Sequence, residues 1–402
     1  MSSDPLDVDD RRTRLLVLTG IVLLSFNLRP AAVSVGPLLT EISAGLRLTG
    51  AESGLLTSLP VIAFAGFGAL TPRLAQAVGP HRLTLVSVVA ATAGLFGRGL
   101  VSNSWAFLGL TLLALSGLAT ANVLMPSLVK RHFADRIGLM TAVYSTTMAI
   151  GLAAASVLTV PIAQTSGDWR IGLAAWGLLA VVAVVPWVGL IAQDRPDGDE
   201  RPATITMADV ARTRLGWMLA LFFGLQATQA YAIFGWFPNL YRAAGVSATD
   251  AGVLLGVITG VSIPLSFLVP ALTARVRNQL PLMLGLGCCY LAGYLGLMLA
   301  PARYSLLWAV LVGIGTNTFP MVLTLIGLRA RTADGTAALS GFTQSLGYVV
   351  AAPGPFLIGL LHDLTAGWTV PLLVLMAITL GMLWAGAQVS RPAAIEDRVR
   401  RS

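Results

Sequence analysis

Twelve apolar stretches follow one another along the chain, and each is about as long as a helix that crosses a bilayer. They run approximately over 15–42, 50–72, 82–102, 105–130, 136–164, 169–192, 214–241, 249–272, 280–300, 304–329, 336–361 and 367–388. A backbone in hydrocarbon has to satisfy its own N–H and C=O groups, so stretches of this length read as helices. Composition agrees: 56% of the 402 residues are hydrophobic and 11% charged, more apolar surface than a soluble domain needs to bury. The expected fold is an all-α membrane protein with 12 transmembrane helices.

The net charge of +8 does not point to nucleic acid, because the cations fall in short loops. Arg11, Arg12 and Arg14 precede the first span. Alternate loops then carry Arg73, Arg82, Lys130, Arg131, Arg136, Arg195, Arg201, Arg212, Arg214, Arg275, Arg277, Arg329 and Arg331, and the tail adds Arg391, Arg398, Arg400 and Arg401. The opposite loops hold only Arg47, Arg170, Arg242 and Arg303. This asymmetry puts both termini in the cytoplasm, and the expected location is the cell (inner) membrane, as a multi-pass chain. Met1 to Asp10 is polar and acidic and lacks the pattern of a cleaved signal peptide. Cys288 and Cys289 are neighbours in one apolar stretch and form neither a disulfide framework nor a metal site.

The longest polar interruption, Gln193 to Arg214, divides the spans six and six. It implies an N-terminal six-helix bundle over 1–192, a cytoplasmic linker over 193–213 and a C-terminal six-helix bundle with its tail over 214–402. Within the linker, Met207 to Arg214 reads either as a short surface helix or as solvated chain. The halves resemble each other weakly. Glu52-Ser53-Gly54-Leu55-Leu56 and Asp250-Ala251-Gly252-Val253-Leu254 open spans 2 and 8 at an offset of 198, which Gly117 and Gly315 share.

The first span carries the feature that points to a site: Asn27-Leu28-Arg29-Pro30, followed by Ser34-Val35-Gly36-Pro37-Leu38-Leu39. Arg29 keeps its proton in proteins, and a charge at the centre of a span costs roughly 2.5–3.5 kcal/mol on insertion scales. Pro30 has no N–H for the carbonyl of Phe26, so the helix is expected to break there. Irregular backbone at membrane depth is tolerated where it is buried in protein or lines a wet cavity. This stretch closely resembles the first span of the cyanate and 2-nitroimidazole transporter branch of the major facilitator superfamily. Gly97-Arg98-Gly99 in span 3 is similar to that branch's intramembrane Arg. The resemblance implies two pseudo-symmetric halves with substrate held between them near the midplane. The loop after span 2 looks like a worn copy of the superfamily's gating motif: Leu74-Ala75, Gly79 and Arg82 fit, whereas Gln76 replaces an Asp and Pro72 a Gly. Leu113 stands where proton-coupled drug exporters carry an Arg, which counts against that activity.

The 18 acidic residues all lie in loops or near the ends of spans, so Arg29 and Arg98 have no acid deep in a span to meet. Counted from the cytoplasmic face, at about 1.5 Å per residue, both stand about 21–23 Å into the membrane. Two like charges at one level imply an anion between them or water around them, and Arg's planar fork suits a small carboxylate-like or pseudohalide anion. Packing against a neighbouring helix is the alternative for Arg29. For Arg98 it is snorkelling to the outer interface. Asn27, two residues from Arg29, points to the other side of a straight helix and reads as structural. The three His (His81, His132, His362) read as loop residues.

The remaining candidates are neutral. Gln226, Gln229 and Ile233 share one face of span 7, with Trp236 and Phe237 close to it. Gln344 and Tyr348 are four apart in span 11, Tyr144, Thr147 and Gly151 share a face of span 5, and Asn122 and Asn317 lie in spans 4 and 10. The expected substrate-binding set is Arg29, Arg98, Asn122, Tyr144, Gln226, Gln229, Asn317, Gln344 and Tyr348. An enzyme would need a nucleophile, an acid–base pair or a metal cluster at one depth, and the spans offer none. A receptor would need an output domain. The expectation is therefore a monomeric secondary active or facilitative transporter of a small cyanate-like or organic anion, working by alternating access. Export of a small neutral nitroheterocycle is the alternative. Its partners are a small-molecule anionic substrate and the lipid bilayer, without nucleic acid, cofactor or metal.

Overall fold

The computed structural model describes residues 5–133, 136–191 and 205–399. Among them, twelve helical stretches are long and apolar enough to cross a membrane, from Thr13–Leu46 to Thr369–Val389, six on each side of the linker. The first span is assembled from α1 (Pro5–Asn27), α2 (Pro30–Val33), a 3-10 turn (Gly36–Leu38) and α3 (Leu39–Leu46). Spans two to six are α4 (Gly50–Val78), α5 (Pro80–Leu100), α6 (Ser104–His132), α7 (Ile137–Ser166) and α8 (Trp169–Val188). After α9 (Met207–Ala211) come α10 (Arg214–Ala243), α11 (Ala248–Arg275) and α12 (Leu280–Leu299). The tenth span is α13 (Ser305–Gly315) with α14 (Thr318–Leu328), and the eleventh is α15 (Ala333–Ala351) with α16 (Pro353–Thr365). α17 (Thr369–Val389) and the short α18 (Ile395–Val399) end the described chain.

Three spans are discontinuous, and each break has a proline beside it. Pro30 breaks the first span as expected. Pro353 starts α16, and Pro320 removes the N–H that would reach the carbonyl of Thr316 at the α13–α14 junction. Around that junction polar side chains donate to the carbonyls at the end of α13. Thr316 Oγ1 donates to Gly313 O at 2.7 Å, Asn317 Nδ2 to Gly313 O at 3.0 Å, and Thr318 Oγ1 to Gly315 O at 3.0 Å.

The chain forms two compact units. The first comprises Met1–Arg47 with Gly66–Glu200, and the second Leu48–Ala65 with Arg201–Ser402. Inside the first, α5 and α6 approach closely because Gly94 and Gly117 present no side chain. A methyl on Gly94 would stand 2.5 Å from Leu110 O, and one on Gly117 would overlap Ser87 O. Inside the second, the N-terminal half of α4 packs against α10 and α16. Gly235 lies under Thr57, Gly54 under Phe356, and Phe64 stacks on Tyr348 with ring centroids 5.3 Å apart.

The linker segment from Met207 is helical. Thr206 and Asp209 close a capping box at its start, and Val210 is buried. It packs on α15, α10 and α18, so it is tied to the protein's own helices. The His residues require a correction, because all three lie in helices. α5 starts at Pro80, a residue suited to a first helical position, and this draws His81 into its first turn, fully buried. His132 is the last residue of α6, and its Nε2 lies 2.8 Å from Nε2 of His81. His362 is in the last turn of α16.

Candidate substrate site

In the first unit Arg29 and Arg98 meet the break in span 1. α1 ends at Asn27, and Arg29 is the residue that caps α2, with φ −107° and ψ −33°. Its carbonyl accepts the N–H groups of Ala32 and Val33, both at 3.1 Å. Its side chain is half-buried. The carbonyl of Phe26 faces α7 at Gly151, where a methyl group would overlap the oxygen. Tyr144 lies two turns along α7 from Gly151, on the same face and half-buried.

Asn27 is buried and ties α1 to α8, its Nδ2 donating to Leu23 O at 2.8 Å and to Leu179 O at 3.2 Å. This is the structural place expected of it. Arg98 does not snorkel. It is wholly buried, with Nη1 donating to Ala31 O at 3.2 Å and Nη2 to Ser34 Oγ at 3.4 Å. The broken helix presents acceptors within its reach, and a guanidinium with five donors can serve them. Its Nε is buried and makes no hydrogen bond. Asn122, on α6, is half-buried.

In the second unit the neutral candidates separate into two kinds. Gln229 is saturated: Nε2 donates to Leu375 O at 2.9 Å and to Thr379 Oγ1 at 2.6 Å, and Oε1 accepts from Tyr294 Oη at 2.6 Å. It joins α10, α12 and α17. Gln226, one turn earlier, is equally buried, yet its Oε1 has no hydrogen-bond partner. Asn317 spends its Nδ2 on the break, and its Oδ1 is buried without a partner. Gln344 donates to Ser340 Oγ at 2.7 Å and is half-buried. Tyr348 sits in an aromatic cluster, stacked on Phe64 and edge-on to Phe223 at 5.1 Å, with Phe319 6.0 Å from Phe223. Phe64, Phe223 and Phe319 were invisible as candidates, since in sequence they are ordinary apolar residues of a span. Trp236, close to the Gln226 face in sequence, is buried and donates to Pro355 O at 2.8 Å.

The described carboxylates within the spans stand near helix ends: Glu41, Glu52 and Asp250 in first turns, and Asp363 near the end of α16. Among the described residues no three His, Cys, Asp or Glu side chains converge as metal ligands. The first unit thus offers cations beside a helix break. The second offers amide oxygens and aromatic faces. Each of these sets suits the reversible binding of a small solute.

The sequence profile described as Major Facilitator Superfamily matches residues 15–355. The chain is 36% identical over 379 residues to an uncharacterized transporter of Bacillus subtilis, covering 93% of each protein. It is 31% identical to the 2-nitroimidazole transporter of Escherichia coli, over 96% of this chain and 98% of that one. It is 30% identical to the cyanate transport protein of the same species, over 88% and 91%. Among solved structures, a nucleoside transporter superposes with a TM-score of 0.76 over 93% of this chain and 99% of that one, at 12% identity.

Proposed function

This chain belongs to the Major Facilitator Superfamily and is a multi-pass membrane transporter, and we propose that its cargo is a small anion, cyanate-like or a small organic acid. The observation that carries the reading is Arg29, a half-buried cation at the junction of α1 and α2, inside the first span. A guanidinium beside a helix break offers a fixed fork and nearby backbone groups to a planar anion. Asn122 and Tyr144 of the same unit are proposed as further contacts there, and Gln226, Asn317, Gln344 and Tyr348 are proposed as contacts that the second unit offers on its own side. The likeness to a cyanate transport protein supports an anion. The carrier works by alternating access as a monomer in the inner membrane, with both termini and the linker cytoplasmic, an orientation that rests on the cation asymmetry of the loops.

A second reading has its own support. The buried, unpartnered Gln226 Oε1 and Asn317 Oδ1 are acceptors suited to a ring N–H, and the Phe64–Tyr348–Phe223 cluster suits a flat ring. A neutral nitroheterocycle fits those features, in line with the likeness to a 2-nitroimidazole transporter. Liposomes holding the purified protein, offered labelled cyanate, small carboxylates and 2-nitroimidazole under imposed pH and voltage, separate the two. Saturable uptake of an anion, inhibited by other anions and insensitive to 2-nitroimidazole, is expected. Saturable flux of 2-nitroimidazole alone would replace the first reading by the second.

A further inference from the structure

Arg98 was expected to touch the cargo. We propose instead that Arg98 is a positioning residue: it holds α2 in place from behind and thereby aims Arg29. The role rests on the reading of Arg29 as a cargo contact.

The physical case begins with α2 itself. A four-residue helix gains too little from its own backbone to persist, because the first turn fixes several torsions for very few hydrogen bonds. Proline bounds it at residue 30 and again at residue 37, so neither flank can extend it in register. Its last carbonyls run out of backbone donors, as at any helix end. Arg98 supplies donors at that end. One nitrogen reaches Ala31 O, and another reaches the hydroxyl of Ser34, the residue that caps α2. A cation at a helix C-terminus also meets the negative end of the helix dipole.

Geometry separates this role from that of a ligand. Arg98 has no exposed surface, whereas Arg29 is partly exposed, and the two are linked through Ala31, two residues after Arg29. The side chain reaches α2 from α5, across 67 residues of sequence. Gly151 of α7 abuts the carbonyl of Phe26 at the end of α1, three residues before Arg29. The segment bearing Arg29 is therefore gripped by a side chain from one helix and by close backbone approach from another. Moving α2 breaks the Arg98 contacts, and losing Arg98 frees α2.

The test uses the full chain with Cys288 and Cys289 replaced by Ser and one Cys introduced at Ala32, in liposomes. The first readout is the rate at which a water-soluble maleimide labels position 32, which needs no cargo. The second is the concentration dependence of cyanate uptake. Arg98→Gln should speed labelling about tenfold, the factor for one charge-assisted hydrogen bond, and raise KM with little change in the maximal rate. Ser34→Ala should move both in the same direction by less, and Arg98→Lys should recover much of the native labelling rate. If Arg98→Gln raised KM while labelling at position 32 stayed native and Ser34→Ala were silent, Arg98 would be a ligand and the proposal would fall. If Arg98→Gln does not fold, Ser34→Ala and Arg98→Lys decide by the same labelling readout. A protein that moves neither cyanate nor a small carboxylate refutes the anion reading, and the labelling arm still judges Arg98.

Discussion

Thr332 gives both its backbone N–H, at 3.0 Å, and its hydroxyl, at 2.9 Å, to one oxygen of Glu396. The same oxygen accepts the N–H of Arg331 at 2.9 Å, and Arg331 pairs with Asp397 through two hydrogen bonds of 2.8 and 2.7 Å. Arg329 completes the contact, its own carbonyl accepting from Ile395 N at 2.8 Å while its Nε donates to Val389 O at 3.0 Å. α18 is thereby docked at the start of α15.

Docking of α18 should weaken in acid. Burial by itself pushes the Glu396 carboxyl up, but its own backbone N–H, those of Thr332 and Arg331, and the Thr332 hydroxyl outweigh burial and hold it below the ordinary glutamate value. A lowered folded value means that the stabilisation is complete above the ordinary glutamate range and disappears as pH falls through the folded value. Glu396→Gln should loosen the segment at neutral pH by about 1 kcal/mol, modest because the site is near the surface. Amide exchange across residues 391–399 should rise in the variant at pH 7, and in the native chain only at acid pH.

Arg29→Ala should weaken cargo binding roughly ten- to a hundredfold, since charge-assisted hydrogen bonds contribute roughly 1.5–3 kcal/mol each. Arg29→Lys keeps the charge without the fork and should retain partial uptake. Melting and binding measured on the same purified variants decide. A destabilised Arg29→Ala with native affinity would remove Arg29 from the site.

Gln226 and Gln229 should part company. Gln229→Ala leaves Tyr294, Thr379 and Leu375 O short of one partner each. Interhelical hydrogen bonds in membranes average about 0.6 kcal/mol, so three together are worth roughly 2 kcal/mol. The melting temperature should drop while affinity for cargo stays native. Gln226→Ala removes an unpartnered oxygen and should cost little stability, with its effect seen in affinity.

Gly151→Ala forces a methyl group against the backbone oxygen of Phe26, which cannot swing away as a side-chain tip would. Overpacking of this kind costs about 1–3 kcal/mol. Thermal stability should fall, and uptake should fall with it because the Arg29 segment shifts. Gly66→Ala, with open space around its Cβ position, is the matched control and should be near neutral.

Coupling should not run through a side chain deep in a span. The described carboxylates of the spans sit near helix ends, so uniport, exchange or a proton carried by the substrate is expected. Uptake of an anion that does not protonate should be insensitive to an imposed pH gradient at fixed voltage. A strict pH drive that vanishes in Glu41→Gln would show the opposite.

What could be read from the sequence divides by range. Pro30 announces its own break because its chemistry is local, and apolar runs announce spans for the same reason. Pro320 and Pro353 carried the same signal for spans 10 and 11, but no charge beside them drew attention to it. His81 was misread because Pro80 extends a helix beyond its apolar run. Partner choice was not legible. Gln226 and Gln229 share a helix face, and only residues 65 and 150 positions away make one saturated and leave the other with a bare oxygen. The acceptors of Arg98 lie as far off in sequence.

The membership of Leu48–Ala65 in the second unit bears on any attempt to divide the chain. The linker looks like the natural place to cut, and a fragment beginning at Arg201 would contain every later span. That fragment would nevertheless lack the surface that Thr57 presents to Gly235, the backbone of Gly54 beneath Phe356, and the ring of Phe64 on Tyr348. Halves expressed separately are therefore not independent modules, since the later one recovers its full packing only when the earlier one is supplied with it.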